Sequence, residues 1–178
     1  MSWNKDWSDE RRDMPKVVPE IISKLKLDDL KDASLTDQKE NDIDLIGRRF
    51  GRDITIEVKI RYKDYGDFLL ETKSNTTTGS DGWIYKSQAE ILVYAIIEKK
   101  SPPSINILNL PKLRAWWLET GIYRGYPEKL GKTDGLYETS NQVIPWQDIS
   151  LDIIIYRKGY NSVDAYFQGE DYEYLSER

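Results

Sequence analysis

The sequence contains neither cysteine nor histidine. Without cysteine, a disulfide, a zinc site built on thiolates and a cysteine nucleophile are all excluded. Without histidine, a Ser-His-Asp triad, a His-Glu-x-x-His zinc site and the metal site of histidine-dependent nucleases are excluded as well. Any hydrolytic chemistry would therefore depend on carboxylates, lysines and a bound metal ion.

Long apolar runs are also missing. No run approaches the roughly 20 residues that span a bilayer, and the charged start MSWNKDWSDERRD does not fit a secretory signal. These features predict a cytoplasmic, intracellular protein without a membrane partner, and the histidine-free composition would suit a virus-encoded one. The 178 residues suit one domain, expected at 17–156, with a mobile leader at 1–16 and a C-terminal tail at 157–178.

Three short strands are predicted in the middle of the chain: Asp42–Ile46, Ile54–Arg61 and Phe68–Lys73. In the second of these, aliphatic residues alternate with polar and charged ones, which places Glu57 and Lys59 together on one face. Asp44 lies upstream of Glu57 at the distance of a hairpin, so acids from neighbouring strands can converge. Mg²⁺ prefers oxygen ligands, usually one or two carboxylates together with waters and phosphate oxygens. The pattern therefore favours a divalent-cation site with a lysine beside it.

These residues resemble the PD-(D/E)xK nuclease superfamily, in particular its Holliday-junction-resolvase-like and small phage-type branches. The resemblance rests on Asp44, on Glu57-Val58-Lys59 and on the segment GWIYKSQAEILVYAI, within residues 40–97. It implies a restriction-endonuclease-like α/β fold, in which helices flank a central mixed sheet in the order α-β-β-β-α-β. It also implies Mg²⁺, replaceable by Mn²⁺, held by Asp44, Glu57 and the Val58 carbonyl. Lys59 would position the attacking water, and Glu71 and Gln88 would assist.

Two further Glu-x-Lys sequences compete with Glu57 to Lys59. Glu98 to Lys100 fits a solvated helix end, where lysines complement the dipole. Glu71 to Lys73 is the stronger rival: it would use Glu57 as the upstream acid and leave Asp44 a bystander. A cross-strand surface ion pair is the structural alternative for Glu57 and Lys59.

The other elements follow from periodicity and from start and stop signals. A helix is expected within Val17–Leu30, starting near Pro19, and a second one from Gln88 to Ile97, since Ser87 and Glu90 have capping-box spacing. The remaining expectations are a strand at Ile105–Leu108, a helix from Pro111 to Gly121, a hairpin within Ile122–Trp146 and a strand at Leu151–Tyr156.

The expected function is that of a Mg²⁺-dependent endonuclease or exonuclease acting on DNA, including branched or phage DNA. A homodimer is expected, because enzymes that cut junctions or duplexes often need two sites. The net charge of −5 opposes DNA binding, but basic residues around the first hairpin could form a rim: Arg48, Arg49, Arg52, Lys59, Arg61 and Lys63. The alternatives are a catalytically inactive member of the fold that binds DNA or protein, and an acidic mimic of DNA.

Overall fold

The computed structural model describes residues 6–99, 101–133 and 137–169. In these ranges the helices are α1 Asp6–Leu25, α2 Leu35–Glu40, α3 Trp83–Lys86, α4 Leu110–Glu119 and α5 Val163–Gln168. The strands are β1 Asp29–Asp32, β2 Leu45–Arg49, β3 Arg52–Arg61, β4 Asp67–Asn75, β5 Ser80–Asp81, β6 Ile91–Ile96, β7 Ser104–Asn109, β8 Glu128–Thr133, β9 Tyr137–Pro145, β10 Ile154–Arg157 and β11 Tyr160–Asn161. Short 3-10 turns occupy Gly121–Arg124 and Trp146–Asp148.

The strands form two sheets. The larger sheet has the order β1-β2-β3-β6-β7-β10-β11, with β3 and β6 parallel and the other neighbours antiparallel. The smaller sheet, β5-β4-β9-β8, is antiparallel throughout. The prediction of an α/β fold with a mixed central sheet flanked by helices is confirmed.

Helix α1 covers one face of the larger sheet. Val17, Ile21 and Leu25 follow one another at intervals of four residues and are buried, so they form one continuous stripe of the helix. The stripe packs on aliphatic side chains of β2, β3, β6 and β7: Leu45, Ile54, Ile56, Val58, Val93, Ala95, Ile105 and Ile107. This burial offsets the backbone hydrogen bonds that Pro15 and Pro19 remove from the middle of the helix.

The smaller sheet and α4 cover the opposite face. Phe68 of β4 is fully buried, and its ring centroid lies 4.9 Å from that of Tyr94 in β6 and 5.2 Å from that of Trp146. Leu113 and Trp117 of α4 belong to the same core cluster. Since aliphatic and charged residues alternate along β3, the face that carries Glu57 and Lys59 is turned toward this second layer.

The predicted helix from Gln88 to Ile97 is wrong, because residues 91–96 form strand β6. This strand lies between β3 and β7, and every side chain in it is buried. A strand buried on both faces shows no alternation of apolar and polar residues, so its sequence looks like that of a buried helix. Ser87 does not cap a helix: its hydroxyl donates to the Asp42 carbonyl and accepts from the Ala89 N–H.

The third predicted strand is present but belongs to the other sheet. β4 pairs with β5 and β9 instead of joining β2 and β3. The connection from the end of β3 to the start of the parallel strand β6 therefore consists of β4, β5 and α3. A parallel neighbour requires a long crossover, and here a small sheet takes the place of a single helix.

The remaining expectations are partly confirmed. Strand β7, helix α4, the β8–β9 hairpin and β10 lie where the sequence predicts them, with shifted ends. α1 begins at Asp6, so residues 6–16, which are expected in the leader, are helical, and β11 and α5 lie within the range expected as the tail. Residues 1–5 and 170–178 lie outside the described ranges. Among the residues described, no helix combines the length and apolar character needed to cross a bilayer.

Phe68→Ala should lower the free energy of unfolding by about 3–5 kcal/mol, because it leaves a cavity between the two layers. Urea unfolding followed by tryptophan fluorescence measures this change. Tyr123→Ala is the matched control: Tyr123 is 82% exposed in the 3-10 turn Gly121–Arg124, so its loss should cost no more than about 0.5 kcal/mol. Equal losses in the two variants would contradict the packing of β4 on β6.

Candidate active site

The site begins where β2 separates from β3. The two strands pair from Arg49 and Arg52 as far as Leu45 and Ile56. Just beyond, the Asp44 N–H donates to the Ile56 carbonyl at 2.9 Å, and Asp44 Oδ2 accepts from the Val58 N–H at 2.8 Å. Because the N–H and C=O of one strand residue point to the same edge, the Val58 carbonyl also faces this opening. The structure thus brings Asp44 beside the backbone of β3 next to Glu57.

Glu57 is a buried acid with one unsatisfied oxygen. It is 2% exposed, its Oε1 lies 2.6 Å from Lys59 Nζ, and within the described part of the chain its Oε2 has no hydrogen-bond partner. Burial raises the pKa of Glu57 well above its usual range; Asp44 and Asp42 raise it further, and Lys59 opposes the shift. Burial therefore shifts the carboxyl group toward its neutral form, and a further positive charge nearby would shift it back toward the ionised form.

Glu71 reaches the same region from the smaller sheet. Its Oε1 accepts from the Trp83 N–H at 3.3 Å. Burial raises the pKa of Glu71, while the charge of Lys59 lowers it. Gly82 is required at this contact, because a Cβ there would collide with the Glu71 carbonyl. Lys59, whose side chain is 28% exposed, thus interacts electrostatically with acids from both sheets.

Asp42 and Lys86 form an ion pair in the region of Glu57 and Glu71. Asp42 has a left-handed backbone (φ 46°), so it lies before β2 and not in the strand that the sequence predicts from this residue. Its Oδ2 lies 3.6 Å from Lys86 Nζ, and its charge raises the pKa values of Glu57 and Glu71. Lys86 gives no signal in the sequence, because it lies on α3, a helix too short to show periodicity.

Gln88 is exposed and lies in an extended segment, not in the first turn of a helix. Its backbone N–H donates to the Asn41 carbonyl at 2.8 Å, which fixes the segment beside Asp42. Arg114 of α4 holds the same segment through the carbonyls of Ile84 and Ser87. The backbone of Gln88 is therefore at the edge of the site, with its side chain in solvent.

Lys73, the lysine of the rival motif, points elsewhere. Its Nζ donates to Asp81 Oδ1 at 2.7 Å and to the Gly79 carbonyl at 3.2 Å. The pairing of β4 with β9 shifts register between Glu71 and Lys73, so the two residues do not keep the simple alternation of a regular strand. The structure brings Lys59, and not Lys73, together with the acids.

The arginines of the β2–β3 hairpin do not form a free basic rim. Arg48 pairs with Asp53, and Arg52 pairs with Glu90. Arg49 is buried, where it binds Asp164 and the Leu25 carbonyl and stacks on the rings of Phe50 and Phe167. These guanidinium groups neutralise acids of the same chain. The expectation that the hairpin arginines form a basic rim is therefore wrong.

The fit of a divalent cation can be judged from the donor atoms. Across residues 6–99, 101–133 and 137–169, no three acids lie close enough together to form a ready-made metal site. Nevertheless, Asp44 and Glu57 provide two carboxyl groups, and in the described part of the chain Glu57 Oε2 is a buried oxygen without a hydrogen-bond partner. Mg²⁺ is commonly held by one or two carboxylates and retains several waters. The residues therefore fit such an ion.

Compared with protein-family models, with curated proteins and with solved structures, the chain matches none of them.

Glu57→Gln should change how the free energy of unfolding depends on pH. In the unfolded chain the carboxyl group loses its proton near its reference pKa of 4.5, and in the folded protein at a higher pH. Between these values the folded state binds more protons, so stability falls as pH rises. The Gln variant lacks this fall, so its stability relative to the unmodified protein should increase as pH rises above about 4.5.

Urea unfolding in EDTA at several pH values measures the effect. The control is Glu119→Gln, which removes an exposed acid of α4 and should follow the unmodified protein at each pH. A gain for Glu57→Gln that does not change with pH would show that the buried carboxyl is not the titrating group.

Proposed function

We propose that this protein is a metal-dependent nuclease that hydrolyses phosphodiester bonds in DNA, with the active site at Asp44, Glu57 and Lys59. The observation that carries the proposal is the buried Glu57. It is paired with Lys59, lies in the field of Asp44 and has one oxygen without a partner among the described residues. Perturbed acids of this kind are concentrated at functional sites. The absence of histidine and cysteine leaves carboxylates, lysine and a metal as the means of hydrolysis.

The proposal includes membership of the PD-(D/E)xK superfamily and its restriction-endonuclease-like core. Two features of the fold support it. After α1, strands β1, β2 and β3 form an antiparallel series, and β6 then pairs with β3 in parallel. The acids lie where β2 and β3 separate, at the middle of the larger sheet.

Asp44, Glu57 and the Val58 carbonyl would hold Mg²⁺, and Mn²⁺ would replace it. When bound, the ion supplies Lewis acidity, which makes hydroxide available near neutral pH and offsets negative charge on the phosphate. Its positive charge would also favour the ionised form of Glu57, against the effect of burial.

The side chains around these ligands have distinct roles. Lys59 pairs with Glu57 but its side chain is partly exposed, so its ammonium group can orient a water molecule by hydrogen bonding or neutralise charge that develops on the phosphate. Glu71, whose pKa is raised by burial, can accept a proton more readily than an ordinary carboxylate. The exposed amide of Gln88 can donate to a phosphate oxygen at the edge of the site.

A second candidate function is a catalytically inactive member of the same fold that binds DNA or a protein partner. It is favoured by the lack of a three-acid group among the described residues and by the internal ion pairs of the hairpin arginines. In this alternative the Glu57–Lys59 pair is a structural ion pair.

Lys59→Ala should reduce DNA cleavage at least about 100-fold, because it removes the cation that faces the phosphate. The assay uses a panel of labelled junction, duplex, nicked and single-stranded DNA at low salt with Mg²⁺, Mn²⁺ or EDTA. The matched control is Lys73→Ala, which should cut normally because Lys73 is bound to Asp81.

Two outcomes would contradict the assignment. Loss of cutting only in Lys73→Ala would move the catalytic lysine to the rival motif. No cutting of any DNA form, together with no heat on titration with Mn²⁺, would leave the inactive binding protein as the better description.

A further inference from the structure

A group of cations surrounds an exposed tyrosine at the far end of β3. Arg61 ends this strand on the same face as Glu57 and Lys59, and the following turn carries Lys63 and Tyr65. The ring centroid of Tyr65 lies 4.7 Å from Arg61 Cζ, 4.6 Å from Lys63 Nζ and 5.2 Å from Lys129 Nζ. We call these four residues, Arg61, Lys63, Tyr65 and Lys129, the Tyr65 patch.

The patch joins the two sheets and is held in place. Lys129 comes from β8 of the smaller sheet, whereas Arg61 belongs to the larger one. Arg61 binds both the carboxylate and the carbonyl of Asp67, and the Gly66 N–H donates to Asp64 Oδ1 at 2.8 Å. The turn that presents the ring is thus fixed by its own hydrogen bonds, so a ligand would not have to order it first.

Two cations of the patch are available to a ligand. Arg61 is neutralised by Asp67. Lys63 and Lys129 are exposed, and in the parts of the chain that the structure describes neither forms a salt bridge. They contrast with Arg48, Arg49 and Arg52, which are each paired with an acid.

The chemistry of the patch fits a nucleotide with an unpaired base. Tyr65 remains 55% exposed in spite of its three cationic neighbours, and an exposed aromatic ring is a surface on which a base can stack. The ammonium groups of Lys63 and Lys129 lie over the ring, and a stacking base would displace them toward the phosphates that flank it. The bases of an intact duplex are stacked on one another, so duplex DNA could use the lysines but not the ring.

The location connects the patch with the candidate active site. Lys59 and Arg61 are two residues apart on one face of β3, which corresponds to about 7 Å. Tyr65 lies next to Arg61, so a strand whose phosphate contacts Lys59 would need only a few nucleotides to reach the ring.

We propose that the Tyr65 patch binds an unpaired DNA strand, with one base stacked on Tyr65 and the neighbouring phosphates on Lys63 and Lys129. This inference rests on the proposed function for the identity of the ligand as DNA, and it adds that the substrate contains a single-stranded segment beside the cleavage site.

The test measures binding without cleavage. Fluorescence anisotropy in EDTA follows a labelled oligothymidylate of about 15 nucleotides with the unmodified protein and its variants. Tyr65→Ala should weaken binding about tenfold, since it removes the stacking surface, whereas Tyr65→Phe should stay within about twofold. The control Tyr123→Ala, which removes a tyrosine that is 82% exposed on another element, should bind as the unmodified protein does.

The lysines give a second, independent readout. In Lys63→Ala/Lys129→Ala the slope of log affinity against log salt should become shallower by about 1.4, corresponding to about 0.7 for each of two phosphates. Binding to a blunt duplex of the same length should not depend on Tyr65. An acidic peptide that competes as well as the oligonucleotide would overturn the proposal in favour of a protein partner.

The two proposals can fail separately. Cleavage that requires Lys59, combined with no effect of Tyr65→Ala on binding, would contradict the proposed role of the Tyr65 patch but not the proposed nuclease activity. Tyr65-dependent binding of the single strand without metal-dependent cutting would support the role of the patch and contradict the nuclease activity. No binding of the oligonucleotide by the unmodified protein, or equal losses in Tyr65→Ala and Tyr65→Phe, would also overturn the patch.

Discussion

The burial of Glu57 between the two layers of the protein is the constraint on which the site depends. A carboxyl group in this position loses its hydration, and the ammonium group of Lys59 offsets part of the cost. Asp44 and Asp42 add negative charge near Glu57, and Glu71 is a second buried acid in the field of Lys59. An excess of acids over cations in a buried place is unfavourable for folding, and it is the condition in which a divalent ion would be stabilised.

Glu57 is buried because the second layer covers it. β4 belongs to the smaller sheet and lies over the larger one, with Phe68 packed on Tyr94 and Trp146. The same strand carries Glu71, and the close approach of Gly82 to its backbone holds this acid beside Trp83. Three segments distant in sequence therefore meet at one point: the start of β2, the middle of β3 and the β4–α3 connection.

The basic residues of the hairpin and of the Tyr65 patch fall into two sets: arginines that are paired with acids of the protein, and lysines that are open to a ligand. The hairpin arginines are used inside the protein, where Arg49 links α1 and α5 through the Leu25 carbonyl and Asp164. The lysines near Tyr65 remain open to solvent. In a chain with a net charge of −5, DNA binding would have to depend on such local groups and would weaken steeply with salt.

The sequence by itself determined the chemistry that is available and the faces of the regular strands. The absence of histidine and cysteine, and the alternation that places Glu57 and Lys59 on one side of β3, are local properties that packing does not alter. Tertiary structure decided that residues 91–96 form a strand, that β4 belongs to another sheet and that Lys73 pairs with Asp81. Periodicity indicates which side of an element is apolar, but it does not indicate which element covers that side, and a strand covered on both sides has no periodicity to detect.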